Sequence, residues 1–144
     1  MHEYKGCRTY KAEGTRKAVS AMSRGALMAR VLIVEGDAFQ AFLAALQIQG
    51  MGHEIVCVTD SAQEAMGVAE KRPPEVAVLD LILDGDNDGV DLGNRLQKAC
   101  GCKLVYTSTY EMLLNSLEGG SATLPKPYGP EDLQRVIEDV MQGI

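Results

Sequence analysis

At 144 residues and 46% apolar content, the chain has the length of one domain and enough hydrophobic material for a core. It lacks the run of ~18 apolar residues that a membrane span needs. There is no tryptophan and aromatics make up only 5%, which argues against a base-stacking platform. The net charge of −6 is unevenly spread, about +5 over residues 1–30 and −11 over the rest, and an acidic body argues against binding to a phosphate backbone.

Residues 1–28 show neither helical nor alternating periodicity and no signal-peptide core. They are expected to be an N-terminal extension, disordered or upstream of a native start at Met28, with the domain over 29–144. Val31-Leu-Ile-Val-Glu35 reads as a strand buried on both faces. Ala38 to Gln49 then spaces Phe39, Phe42, Leu43 and Leu46 as on a helix, with Gly50 as a stop. Glu54-Ile-Val-Cys-Val58 is the second strand. Ser61-Ala-Gln-Glu64 has the form of a capping box, opening a helix that closes at Lys71-Arg72 before Pro73-Pro74.

The central strand is Glu75-Val-Ala-Val-Leu-Asp80, followed by the turn-rich stretch Asp84-Gly-Asp-Asn-Asp-Gly89. Val90 to Ala99 forms a helix with Val90, Leu92 and Leu96 near one face. Lys103-Leu-Val-Tyr-Thr107 is the fourth strand and runs into Ser108-Thr109. Glu111 to Leu117 is a short helix, Ala122-Thr-Leu124 a brief fifth strand before Pro125-Lys126-Pro127, and Glu131 to Met141 a last helix on Leu133, Val136, Ile137 and Val140. Five strands alternating with five helices imply an α/β parallel sheet covered on both sides.

In such sheets ligands collect outside the carboxyl ends of the strands, at the point where strand order reverses. With strand order 2-1-3-4-5, that edge gathers Glu35, Asp37, Asp80, a hydroxyl of the Thr107–Thr109 run and Lys126. Crowded carboxylates repel unless a cation joins them, and Mg²⁺ is the hard ion that suits one or two carboxylates. A lysine and a hydroxyl beside them suit phosphoryl oxygens. The set describes phosphoryl transfer to Asp80 as nucleophile, with Lys126 and Ser108 receiving the product.

Val31-Leu-Ile-Val-Glu35, Val78-Leu-Asp80-Leu, Val105-Tyr-Thr-Ser108 and Leu124-Pro-Lys126-Pro-Tyr128 stand in one order and spacing. On these, the chain from about Arg30 to Gly143 resembles a response-regulator receiver domain, the CheY-like phosphoacceptor module of two-component signalling. The resemblance implies the flavodoxin-like (βα)5 sandwich with strand order 2-1-3-4-5. It makes Asp80 the phosphoacceptor, Ser108 and Lys126 its switch residues, and Glu35, Asp37, Asp80 and the Ile82 carbonyl the ligands of Mg²⁺. A histidine kinase or phosphotransfer protein is then the donor and a downstream protein the target, in a cytoplasmic, stand-alone receiver able to pair with a second copy. No enzyme activity is expected beyond self-phosphorylation and autodephosphorylation at Asp80. Gly36 stands where the family has an acidic metal ligand, and Thr123 where it has the aromatic switch residue. A weak Mg²⁺ site follows from the first departure, and with it the alternative of a phosphorylation-independent pseudo-receiver acting as an interaction domain.

Two features carry less. Asp84-x-Asp86-x-Asp88-Gly89 matches the first six positions of a calcium loop, but position twelve is Arg95 and a strand precedes it, so a solvated acidic turn is expected. Cys7, Cys57, Cys100 and Cys102 follow no zinc spacing. Cys57 reads as a small buried hydrophobe, and reduced thiols are expected throughout. His2 and His53 have no partners at ligand spacing.

Overall fold

The computed structural model describes residues 28–83, 88–117 and 122–143. The extension expected over 1–28 lies outside them up to residue 27, as do Asp84 and Asp86 of the acidic turn. The strands are β1 (Arg30–Val34), β2 (Glu54–Thr59), β3 (Val76–Asp80), β4 (Lys103–Ser108) and β5 (Ala122–Pro125). The helices are α1 (Ala38–Gly50), α2 (Ala62–Lys71), α3 (Asp88–Cys100), α4 (Glu111–Asn115) and α5 (Pro130–Met141). All pairings are parallel, in the order β2-β1-β3-β4-β5. The flavodoxin-like topology that the receiver resemblance implied is therefore the one observed.

The β-branched runs of β1 and β3 are buried on both faces because helices cover each side. One core packs Leu32, Leu79, Leu92, Leu96 and Leu104 beneath α2, α3 and α4. The other packs Ile33, Ile48, Val78, Leu133 and Ile137 beneath α1 and α5. Caps set the helix starts. Ser61 Oγ accepts from the Glu64 N–H at 3.2 Å, and the Gly129 N–H donates to Asp132 Oδ2 at 3.0 Å, with Pro130 in the first turn of α5.

Two expectations need correction. Helix α1 does not bury the Phe39, Phe42, Leu43, Leu46 face. It buries Ala41, Ala44, Ala45 and Ile48, leaving Phe39 67% and Leu46 47% exposed. The helix contains no charged residue, so polarity cannot choose a face, and the small alanines let its backbone come closer to the sheet. The second concerns the thiols. Cys57 is fully buried, as expected, and Cys100 and Cys102 are free, but Cys57 is disulfide-bonded rather than reduced.

Glycines on α3 allow two close approaches. A Cβ on Gly89 would overlap the backbone carbonyl of Asp80, and one on Gly93 would overlap the Tyr106 hydroxyl. The helix thus lies directly on the end of β3 and on a buried tyrosine of β4.

Candidate functional site

The carboxyl edge of the sheet is extended by single backbone hydrogen bonds that carry register past the strands. The Glu35 N–H donates to the Thr59 carbonyl at 3.0 Å, Leu81 N–H to Thr107 O at 2.8 Å, and Lys126 N–H to Ser108 O at 2.8 Å. Glu35, Asp80 and Lys126 are thereby held at the ends of three different strands, pointing into one opening. Lys126 Nζ lies 2.5 Å from Glu35 Oε1 and 3.3 Å from Asp80 Oδ2. The three side chains are 11%, 7% and 14% exposed, in that order, so the ion pairs are only weakly screened by solvent. The peptide bond between Lys126 and Pro127 is cis.

The remaining carboxylate oxygens are also engaged. Glu35 Oε2 accepts from the Asp37 N–H at 3.0 Å, and Asp80 Oδ1 accepts from the Ile82 N–H at 3.4 Å. Burial pushes the Glu35 carboxyl above its ordinary value, against the Lys126 hydrogen bond that pulls it down. Burial, with the charges of Glu35 and Asp80 behind it, pushes the Tyr128 phenol up to about 12. The negative field of the site therefore extends to the residue two positions after Lys126. A cavity of about 580 Å³ opens over the cluster, lined by Glu35, Gly36, Asp37, Gln40, Asp80, Thr109, Lys126 and Pro127.

The residues singled out from the sequence are distributed unevenly around this opening. Glu35, Asp80 and Lys126 are in mutual contact. Asp37 lines the cavity, but its Oδ1 accepts from the Gln40 N–H at 2.9 Å as the N-cap of α1. Ser108 lies at the end of β4, one residue past the Asp80–Thr107 pair, and its buried Oγ accepts from the Tyr110 N–H at 2.9 Å. Thr123 lies on β5 opposite Tyr106 of β4. Among the described residues no group of three acids, histidines or cysteines is placed to hold one metal ion. With both carboxylates turned to Lys126 and Asp37 engaged as a cap, these side chains as arranged do not fit a divalent cation.

The places of Gln40, Tyr128 and Tyr106 around the site were not legible in the sequence. Gln40 reaches the cavity through a helix start that no motif marks, whereas Thr109 belongs to the hydroxyl run expected there. Tyr128 signals itself only by following Lys126-Pro127. Tyr106, buried over Gly93, is an aromatic on the strand next to the one where Thr123 replaces the expected switch aromatic.

Comparison with known proteins bears on the family and the fold. The sequence profile of the response regulator receiver domain matches residues 31–138. The DNA-binding response regulator MtrA of Mycolicibacterium paratuberculosis is 31% identical over 108 residues, 72% of this chain and 47% of that protein. The chain thus spans about half the length of the curated relatives it matches. Among solved structures, the signal receiver domain of a modulated diguanylate cyclase from Desulfovibrio desulfuricans G20 superposes with a TM-score of 0.71 at 26% identity, covering 81% of this chain and 96% of that one. The response regulator PhyR from Brucella abortus gives 0.75 at 21% identity, over 88% and 53% respectively, a likeness of fold. Among the described residues no helix is long and apolar enough to cross a membrane.

Proposed function

The chain belongs to the response regulator receiver family, and from that premise we propose that it is a phosphoacceptor switch which takes a phosphoryl group on Asp80 and signals through a protein partner. The observation that supports this most is the Lys126 ammonium held between Glu35 and Asp80 at the mouth of an open cavity. Asp80 is the carboxylate at the end of the central strand, and it faces the cavity. Its oxygen attacks the phosphorus of a phosphohistidine on a sensor kinase or phosphotransfer protein. The new O–P bond forms as the N–P bond breaks, and the imidazole leaves with the electron pair. Lys126 needs only a small rotation of its ammonium to move from the Asp80 carboxylate to a phosphoryl oxygen, trading one charge-assisted bond for another. Ser108 Oγ and Thr109 stand at the end of β4 beside that position, and Ser108 reaches it by giving up its bond to the Tyr110 N–H. The added ~1.5–2 negative charges then reorganise the ends of β4 and β5, where Thr123 lies opposite Tyr106.

Intact-mass measurement after incubation with acetyl phosphate tests the reading. A gain of one phosphoryl group, absent in Asp80→Asn, is expected. A folded protein that gains nothing with or without Mg²⁺ would sink it and leave the second reading, a phosphorylation-independent interaction domain, which Gly36 and the absence of a described three-acid cluster favour.

A further inference from the structure

Glycine at position 36 is not a demand of the backbone. Among the described glycines only Gly52, Gly101 and Gly143 have positive φ, so a side chain at position 36 meets no left-handed strain. A Cβ built there has no atom within 4 Å. An aspartate would stand in open space at the mouth of the cavity, between Glu35 and the helix start. The fold has the room for a further carboxylate and the chain does not supply it.

The consequence falls on charge. Glu35 and Asp80 carry two negative charges and Lys126 returns one, all within contact distance and largely out of water. Among the described residues, Asp37 is the other acid lining this opening, and it is the side-chain cap of α1, whose first turn holds no other acid. Capping by Asp37 satisfies the Gln40 N–H and stabilises the start of the helix. Among the described side chains, a divalent ion entering here has to compete with the ammonium for the carboxylates, lose part of its hydration, and take any further side-chain ligand by uncapping α1. An ammonium already in place requires none of this.

We propose that Lys126 is the resident cation of this acid cluster, and that Gly36, by withholding a ligand, keeps the site's affinity for divalent ions low. Binding is then limited by two separable elements, one missing carboxylate and one competing ammonium. The inference concerns the acid cluster before any phosphoryl transfer, and it stands or falls independently of whether Asp80 is phosphorylated.

The test is a Mg²⁺ titration of the full chain, followed by amide chemical shifts of the loop after β1 and by calorimetry, with Mn²⁺ relaxation as a second probe. The wild type is expected to show no saturation up to about 10 mM Mg²⁺. Gly36→Asp is expected to gain at least about tenfold in affinity, while Gly36→Ala, which alters the backbone but adds no ligand, follows the wild type. Lys126→Gln, checked for folding by circular dichroism, gains affinity as well because it frees both carboxylates. Sub-millimolar binding by the wild type overturns the proposal. So does an unchanged Gly36→Asp in a folded protein. Acetyl phosphate labelling of the same samples reports on the phosphoacceptor reading separately.

Discussion

Gly36 and the Gly89–Gly93 pair lie on either side of the same strand end and are glycines for opposite reasons. Gly89 and Gly93 are one turn apart on α3 and face inward, where any side chain would collide with the Asp80 carbonyl or the Tyr106 hydroxyl. Gly36 faces an empty cavity mouth. The first pair is a packing requirement and the second an omission of chemistry. The contrast teaches that glycine in a sequence can mark a tight fit or a missing function, and only the space around it tells which.

The largest expected effect breaks the contrast on the α3 side. Gly89→Ala drives a methyl group into backbone that cannot rotate away, and should lower stability by about 3 kcal/mol, read as a lower urea midpoint with an unchanged slope. Gly93→Ala meets the end of a side chain instead and should cost roughly 1–2 kcal/mol. Adding Tyr106→Phe removes the colliding oxygen, so the double variant should recover much of that loss. Equal costs for the single and double variants would mean that the tyrosine hydroxyl is not the obstacle.

A buried hydrogen bond at the opposite edge of the sheet gives an intermediate case that pH can switch. His53 Nδ1 accepts from the Ala29 N–H at 3.0 Å just before β1, which requires the neutral ring. Burial holds its pKa below the usual 6.5, against Glu138 and Glu75, which favour the cation. A base with a depressed folded pKa contributes stability above its unfolded pKa and loses it as pH falls through the folded one. Stability relative to His53→Asn, which keeps an acceptor but cannot titrate, should therefore fall by about 1 kcal/mol on acidification from above 6.5. A parallel pH dependence in both proteins would remove His53 from the account.

Gly36→Ala should have the smallest effect and the opposite sign, a stabilisation of about 0.5 kcal/mol through the unfolded chain. A marked destabilisation would show that position 36 is tightly packed after all and would erase the contrast with α3.

Much of this was legible locally. The strands announced themselves as apolar runs ending on Glu35 and Asp80, and Lys126 was marked by its prolines. The face of α1 was not legible, because Phe39, Phe42, Leu43 and Leu46 form as regular a stripe as Ala41, Ala44, Ala45 and Ile48. Periodicity without charge contrast has two solutions, and the closeness of the sheet selects the one with small side chains. The engagement of Asp37 as a cap was hidden for a related reason, since an aspartate before a helix and an aspartate beside a metal look alike in one dimension.

The order of strands and helices, the convergence of acids at one sheet edge and the receiver resemblance were determined by the sequence alone, because alternation and strand-end chemistry are properties of spacing along the chain. Whether Gly36 leaves a hole, which oxygens Lys126 occupies, and why α3 needs two glycines were decided only by the tertiary structure. Those are questions of distance between segments far apart in sequence, where contact and desolvation, not spacing, set the energy.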